Sequence, residues 1–156
     1  KLIRAAAIAH KKTGLPIQTH TGNNVAGANE IIDILTEYDV KADAWTWGFA
    51  HDVDDPYDLI SVAKMGAFLL FNQLNEMRAQ SFLGTFKLLK EQDLLDRVLV
   101  SHDGNAFPFE GARKDFHYLV TGFKPRFLAY GFTEEDFEQI TEKNPADAFV
   151  VKKRLL

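Results

Sequence analysis

Two histidines and one aspartate occupy equivalent positions in this sequence. A short run of mostly apolar residues precedes each of His20, His51 and Asp103. If each run is a strand of one parallel sheet, the three carboxyl ends point to the same face and the three side chains converge. Two imidazoles and a carboxylate are good ligands for zinc, manganese, iron or cobalt. The pattern therefore predicts a metal site formed by His20, His51 and Asp103.

A structural explanation of such histidines stays open beside the metal site. A histidine at a strand end often serves only as a hydrogen-bonded group, and we interpret His10 and His117, which lie in helical patterns, as structural or solvated. His102 precedes Asp103. Because adjacent strand residues point in opposite directions, we expect His102 in the wall of the site rather than among the ligands.

Four apolar runs of strand length alternate with stretches of helical periodicity. The predicted strands cover residues 15–20, 45–51, 67–71 and 97–101, and helical spacing recurs around residues 1–14, 25–38, 56–65, 82–94 and 116–127. Strand and helix in alternation imply βαβ units and a parallel sheet. Gly14 suits the end of the first helix, Asp55-Pro56 and Asn144-Pro145 suit helix starts, and residues 133–136 resemble a capping box.

A four-stranded parallel piece fits either a small doubly wound sheet or half of a (β/α)8 TIM barrel. The chain starts at Lys1 inside a helical pattern with no N-cap before it. This start favours the half barrel, with parallel strands and outer helices. We therefore expect residues 1–156 to form a single domain whose N-terminal complement is missing from this chain.

Composition excludes several classes of protein. The chain has 156 residues, 46% apolar and 26% charged, with no cysteine and a net charge of −4. Disulfide scaffolds and cysteine-based zinc sites are therefore excluded, and nothing attracts nucleic acid or an anionic membrane. The apolar runs are too short to span a bilayer and no signal peptide opens the chain, so we expect a cytoplasmic protein. Phosphate-loop and nucleophile-elbow patterns are not found in the sequence.

Further polar residues lie near the three candidate ligands. Asp52 and Asp54 follow His51 closely, and either could accept a proton or orient water near the metal. Loop solvation together with helix-dipole complementarity is the alternative explanation of these aspartates. Asn72, Arg78 and Phe107 lie on the loops after the third and fourth predicted strands and are predicted to contact substrate. Ordinary loop packing is the alternative for these three, and Arg78 would then be a surface cation.

Four segments of the chain together resemble the phosphotriesterase-like branch of the amidohydrolase superfamily. Residues 4–21, 50–55, 98–103 and 144–149 are similar to its strand 5, strand 6, strand 8 and C-terminal helix segments. The resemblance implies the C-terminal half, strands 5 to 8, of a distorted (β/α)8 barrel with two divalent metal ions. Zinc is the first expectation, with manganese, cobalt or iron as alternatives.

The resemblance also implies roles for individual residues. His20 and His51 would bind the more exposed metal ion, and Asp103 would bind the more buried ion and contact the bridging hydroxide. Asp54 falls near the family's relay carboxylate. The family's His-x-His pair and its bridging carbamylated lysine would lie upstream of Lys1, so the missing N-terminal half is an expected partner. Residues 70–73 depart from the family where some phosphotriesterases carry a relay histidine.

These expectations combine into a prediction of function. We expect a metal-dependent hydrolase that acts on a small-molecule lactone or other ester, with Asp103 and Asp54 as catalytic residues and phosphotriester hydrolysis as a side activity. Two alternatives stay open: a non-catalytic half barrel that serves in binding or assembly, and an amidohydrolase acting on an amide or in deamination. A homodimer is left open as well.

Overall fold

Four parallel strands form the centre of the protein. The computed structural model describes residues 1–104 and 115–156, with strands β1 (Ile17–His20), β2 (Trp45–Gly48), β3 (Phe68–Phe71) and β4 (Val98–Val100). Neighbouring strands are consecutive in the chain, in the order β1-β2-β3-β4, and every pair is parallel. Parallel neighbours require a crossover between strands, and helices supply it here. The predicted parallel α/β architecture is therefore confirmed.

Helices precede the first strand, connect the strands and follow the last one. They are α1 (Leu2–Thr13), α2 (Val25–Glu37), α3 (Pro56–Lys64), α4 (Glu76–Glu91), α5 (Lys124–Ala129), α6 (Glu134–Glu138) and α7 (Asn144–Phe149), with π-helical stretches at Leu119–Phe123 and Gln139–Lys143. Among the described residues, no helix is long and apolar enough to cross a membrane.

Local signals in the sequence place the ends of several helices. Gly14 adopts a left-handed conformation after α1 and donates its N–H to the His10 carbonyl. Asp55 accepts the N–H of Tyr57 at the start of α3, and Thr133 and Asp136 form the predicted capping box before α6. Each contact pairs a backbone group that the helix end would otherwise leave without a partner.

The two faces of the sheet pack differently. Trp47, Leu69 and Val98 point to the helices and belong to the large hydrophobic core, whereas Phe68, Leu70 and Leu99 lie on the opposite face in a small cluster with Ala148. The alternation follows from the two-residue period of a strand. Because both faces of the sheet are buried at β3, all of its residues are apolar, as the sequence indicated.

Phenylalanines fill the core beneath β3. Phe71 meets Phe86 edge-to-face at 4.8 Å between ring centroids, and Phe86 meets Phe123 in the same way at 6.4 Å. Edge-to-face contacts place the positive ring edge against the negative face of the neighbour. The series continues to Phe127 and Phe137. This series joins the helices after β4 to the helical layer of the sheet.

Some predicted boundaries were wrong. The second strand ends at Gly48 rather than at His51, because the chain turns sharply at Phe49 and continues as a 3₁₀ turn. Phe116 is exposed and lies outside the helix that its spacing predicted. The last helix does begin at Asn144, as its Asn-Pro pair indicated, but it continues directly from the π-helical stretch before it. The Asn144 amide is buried and donates to the carbonyls of Leu95 and Val98.

The C-terminal residues cross the amino end of the sheet. Lys152 N–H donates to the Gly14 carbonyl, and Lys41 N–H donates to the Arg154 carbonyl. The Arg154 guanidinium is buried, donates to the carbonyls of Asp147 and Ala148, and lies 3.6 Å from the Asp43 carboxylate. This segment therefore ties the first helix–strand pair to the last helix.

Candidate active site at the carboxyl end of the sheet

Each of the four strands is followed by a residue in the left-handed backbone conformation. These residues are Gly22, Phe49, Gln73 and Asp103, with φ of 56°, 62°, 63° and 51°. For residues other than glycine this conformation costs roughly 1–2 kcal/mol. Such strain persists only where surrounding contacts impose it, and it concentrates at functional sites. Among the described residues, three of the five non-glycine residues with positive φ lie at the carboxyl end of the sheet, and the other two, Asp39 and Asp93, lie on the amino side before β2 and β4.

His20 is exposed at the end of β1. Its imidazole stacks on the Phe49 ring with 3.9 Å between ring centroids and 23° between planes. In the structure His20 lines an open cleft of about 490 Å³ together with Asn72, Asp103 and Gly48. The carboxyl-end position predicted for His20 is thus observed, and His20 and Asp103 share a cleft.

His51 lies in the 3₁₀ turn after β2 and its side chain is only 1% exposed. Neither ring nitrogen has a hydrogen-bond partner among the described residues. The Nε2 atom lies 3.3 Å from Oδ1 of Asp52, without hydrogen-bond geometry. The ring instead contacts the aromatic rings of Phe49 and Phe82. A buried imidazole with two unpartnered nitrogens is unusual because such groups cost free energy.

Burial sets the protonation of His51. It lowers the pKa of the imidazole, the Asp52 carboxylate opposes that effect, and the Arg78 guanidinium adds to it. The net direction is downward, so the neutral ring is favoured near neutral pH. Neutral imidazole is the form that binds metal ions.

Asp103 lies three residues after β4, on the same cleft as His20. Its Oδ2 atom accepts a hydrogen bond of 3.2 Å from Nε2 of Gln73, and its N–H donates to the Ser101 hydroxyl at 3.4 Å. A second cavity of about 570 Å³ continues from Asp103 to Leu70 and Leu99 on the inner face of the sheet. The carboxylate therefore borders both open spaces at this end.

The three candidate ligands do not form a complete metal-binding site by themselves. Within residues 1–104 and 115–156, no group of three or more His, Asp or Glu side chains is arranged to hold a metal ion. The ring of Phe49 contacts both His20 and His51. The unpartnered nitrogens of His51 nevertheless fit a metal ion, and so does the donor set of two imidazoles and one carboxylate.

The other predicted residues lie around this site at different depths. Asp54 is exposed and accepts a 2.8 Å hydrogen bond from the Asn23 amide. Arg78 lies in the first turn of α4, half-exposed, with 3.8 Å between its guanidinium and the Asp52 carboxylate. Asn72 is buried and lines the cleft. Phe107 lies outside the described residues.

Sequence reasoning missed Phe49 and Gln73 as parts of this site, and it named Asp52 only as an alternative to Asp54. Phe49 contacts both candidate histidines, Asp52 lies beside His51, and Gln73 bonds to Asp103. Phe49 was missed because it was predicted to lie inside a strand ending at His51, and strand residues have negative φ. A general signal was available for Gln73: polar residues that follow a parallel strand face the site edge.

Comparison with known proteins gives a family. The sequence matches the Phosphotriesterase family over residues 1–149. It is 27% identical over 154 residues to the phosphotriesterase homology protein of Escherichia coli K12, covering 96% of this chain and 52% of that protein. It is 25% identical over 163 residues to the N-acetyltaurine hydrolase of Homo sapiens, covering 93% and 46%.

Solved structures agree with the sequence match. A lactonase from Listeria monocytogenes superposes with a TM-score of 0.85 at 29% identity, over 97% of this chain and 49% of its own. The phosphotriesterase from Mycobacterium tuberculosis shares the fold at a TM-score of 0.82 and 22% identity, over 97% and 51%. The chain spans about half the length of these relatives, as expected for half of a TIM barrel. With the family match over nearly its whole length, this chain belongs to the phosphotriesterase family.

Proposed function

We propose that this chain supplies half of the active site of a metal-dependent hydrolase that cleaves a lactone or another ester. The observation that carries the proposal is His51, an imidazole that is buried beside the cleft with neither nitrogen hydrogen-bonded. Such a ring is costly in a purely structural role, whereas a metal ion would give it a partner. The family match and the resemblance to a lactonase support the same reaction class.

The proposal assigns His20, His51 and Asp103 as metal ligands. Two divalent cations, zinc first and manganese, cobalt or iron otherwise, would be held between these residues and a carbamylated lysine on the other half. Bound divalent cations supply a hydroxide nucleophile near neutral pH and polarise the oxygen that is attacked. An imidazole ligand must be neutral, which is the form that burial favours for His51.

The remaining chemistry belongs to side chains of this chain. The Asp103 carboxylate lines the cleft, so it can accept the proton of the attacking hydroxide and give it to the leaving alkoxide as the ester C–O bond breaks. Asp54, exposed at the rim, would pass to solvent the separate proton that is released when the next water molecule is ionised. Arg78, Asn72 and Phe107 are proposed to contact the substrate. We keep phosphotriester hydrolysis as a side activity.

A second four-stranded unit completes the proposed site. Among the described residues, β1 and β4 are edge strands with one strand neighbour each. Edge strands of a parallel sheet leave N–H and C=O groups ready to pair with further strands. Pairing with four more parallel strands would close the barrel and bring the remaining ligands to the carboxyl end. A cytoplasmic location and a homodimer also stay predictions.

Amide hydrolysis is a second candidate reaction. Several of the similar proteins are N-acetyltaurine hydrolases, which cleave an amide bond, at 24–26% identity. Ester and amide cleavage make the same demands on the nucleophile and on oxygen polarisation, and they differ in the leaving group. A non-catalytic half barrel is less well supported, because it gives no reason for the unpartnered His51.

One experiment separates these reactions. The protein assembled with its complementary half is analysed for bound metals and assayed on a panel: a lactone, an aryl ester, an N-acetyl amide and a phosphotriester. We expect metal together with lactone or ester turnover, and loss of both turnover and one metal ion in Asp103→Asn. Asp33→Asn, which changes an exposed aspartate on α2, is the matched control. A metal-free protein without turnover on the panel would overturn the proposal.

A further inference from the structure

The turn after β3 contacts the segments that follow β2 and β4, which carry His51 and Asp103. We call residues 72–75 the β3 turn. Its first two side chains, Asn72 and Gln73, reach to opposite neighbours: Asn72 bonds to the end of β2 and Gln73 bonds to Asp103 after β4. The family resemblance provides a relay histidine in this region for some members but assigns no role to an Asn-Gln pair.

Asn72 fixes the turn that leads into His51. Its side chain is 7% exposed, and its Oδ1 accepts the N–H of Phe49 at 2.8 Å. Phe49 has a φ of 62°, which is unfavourable for an aromatic residue, so an external contact must stabilise it. Phe49 lies two residues before His51. The amide of Asn72 therefore holds the backbone that aims the imidazole.

Gln73 fixes one oxygen of the Asp103 carboxylate. Its Nε2 donates to Oδ2 at 3.2 Å, while Oδ1 receives no hydrogen bond from the described residues. The donor thereby sets the carboxylate rotamer and leaves one oxygen open toward the cleft. Outer partners of this kind orient metal-binding side chains and influence metal affinity.

The β3 turn is itself anchored. Leu74 N–H donates to the Ser101 carbonyl at 2.8 Å, which joins the turn to the residue after β4. Asn75 donates to the Gln73 carbonyl at 2.9 Å and accepts two N–H groups at the start of α4. With these contacts, the turn forms a rigid support from which Asn72 and Gln73 act.

We infer that Asn72 and Gln73 are positioning residues that set the orientation of His51 and Asp103 for a divalent cation. The inference rests on the proposed function and adds to it the role of the Asn-Gln pair at the end of β3. Asn72 thereby has a structural role in addition to lining the cleft. Its Oδ1 accepts the N–H of Phe49, and its Nδ2 donates to the Ser101 hydroxyl at 3.4 Å.

The first test removes the donor to Asp103. In the assembled protein, Gln73→Met keeps the approximate side-chain volume, and Co²⁺ affinity is measured by titration of its visible absorption. We expect a 10- to 100-fold weaker affinity, the range for loss of such partners, with kcat lowered more than KM and an unchanged melting temperature. Gln80→Met, on an exposed α4 glutamine, should retain wild-type values.

The second test addresses Asn72 without any metal. Asn72→Leu removes the acceptor, so hydrogen exchange of the Phe49 amide should accelerate, whereas Asn72→Asp keeps an oxygen and should restore protection. If Gln73→Met leaves Co²⁺ affinity at the wild-type value, or Asn72→Leu leaves Phe49 protected, the positioning inference is wrong and the proposed function is untouched. If the wild-type protein itself binds no Co²⁺, both the positioning inference and the proposed function are wrong.

Discussion

Two buried histidines at opposite ends of the sheet show how different the ends are. At the amino end, His10 is 1% exposed, with Nδ1 2.8 Å from the Leu15 carbonyl and Nε2 accepting the Arg154 N–H at 2.9 Å. At the carboxyl end, the side chain of His51 is 1% exposed, and neither of its ring nitrogens has a hydrogen-bond partner among the described residues. Two neighbours fix the tautomer of His10, whereas the protein leaves His51 open to a further ligand.

Two arginines repeat the contrast. Arg154 at the amino end is buried, donates to two carbonyls at the end of α7, and lies near Asp43, although its Nε and Nη1 have no hydrogen-bond partner. Arg78 at the carboxyl end donates no side-chain hydrogen bond to a described residue and faces Asp52 at 3.8 Å. It also lies in the first turn of a helix, where a positive charge is unfavourable. The contacts of His10 and Arg154 thus support the fold at the amino end, and the proposed function assigns binding to the carboxyl end.

The strongest test of this contrast is replacement of His51. We expect His51→Leu to lower kcat/KM by about 10³-fold or more, the scale for loss of a central catalytic group. The free energy of unfolding should stay within about 1 kcal/mol of wild type, since leucine removes an unpartnered buried polar ring. Both are measured on the assembled protein, by substrate turnover and by urea denaturation. A large loss of stability with retained turnover would make His51 a structural residue.

His10 should give the opposite result. We expect His10→Leu to lower the free energy of unfolding by about 2–4 kcal/mol, because the Leu15 carbonyl and the Arg154 N–H both lose a buried partner. Turnover by the folded protein should remain near the wild-type value. Urea denaturation gives the first quantity, and His117→Leu, whose ring is 93% exposed, is the matched control. Equal stability of the two variants would contradict the contrast.

Arg78 tests whether the carboxyl end binds substrate. We expect Arg78→Met to lower kcat/KM by about tenfold, mainly through a higher KM, because one charge-assisted contact to substrate oxygen is lost. Steady-state kinetics on the best substrate of the panel measures the effect. Arg4→Met, which removes an exposed ion pair with Glu37, should leave kcat/KM unchanged. An identical fall in both variants would indicate a nonspecific charge effect.

The smallest expected effect concerns Asp136 near the start of α6. Its carboxylate bonds to Lys90, which lies in the last turn of α4. Burial opposes ionisation of this carboxyl, but Lys90 and the Thr133 N–H outweigh it and lower the pKa below its usual 3.8. Because the pKa of Asp136 is lower in the folded state than in the unfolded chain, the ionised carboxylate stabilises the fold at every pH above the unfolded-state pKa. The stabilisation disappears as the pH falls through the lowered value.

Asp136→Asn should therefore lower the free energy of unfolding by about 1 kcal/mol at pH 7, the usual contribution of a capping residue. The difference from wild type should shrink as the pH falls through the lowered pKa of Asp136, because the carboxyl is then neutral like the amide that replaces it. Urea denaturation across this pH range measures it, with Asp33→Asn as control. A difference that grows on acidification would show that the sign is wrong.

Much of the architecture follows from local patterns. The continuous apolar run 67–71 indicated a strand buried on both faces, and Asp55 and Thr133 indicated helix starts that the structure contains. Such features depend on neighbours within a few residues, so the sequence carries them directly. The common edge at which His20 and Asp103 lie also followed, because parallel strands align their carboxyl ends.

Other features of the site could not be read in this way. His51 was predicted at the end of a strand, but the left-handed turn at Phe49 places it in a 3₁₀ turn, with its side chain buried. That turn is stabilised by Asn72, which is 23 residues away in the chain. Periodicity describes which face a residue points to, and it contains no information about a contact between two separate loops.

By itself, then, the sequence determined the alternation of strands and helices, the parallel sheet, and the end of the sheet at which chemistry would lie. Only the tertiary structure decided which buried histidine is fully hydrogen-bonded and which is left without partners. The partner of His10 is Arg154, 144 residues further along the chain. Hydrogen bonds of buried groups depend on what the fold brings beside them, and a side chain's type and local spacing do not specify that neighbour.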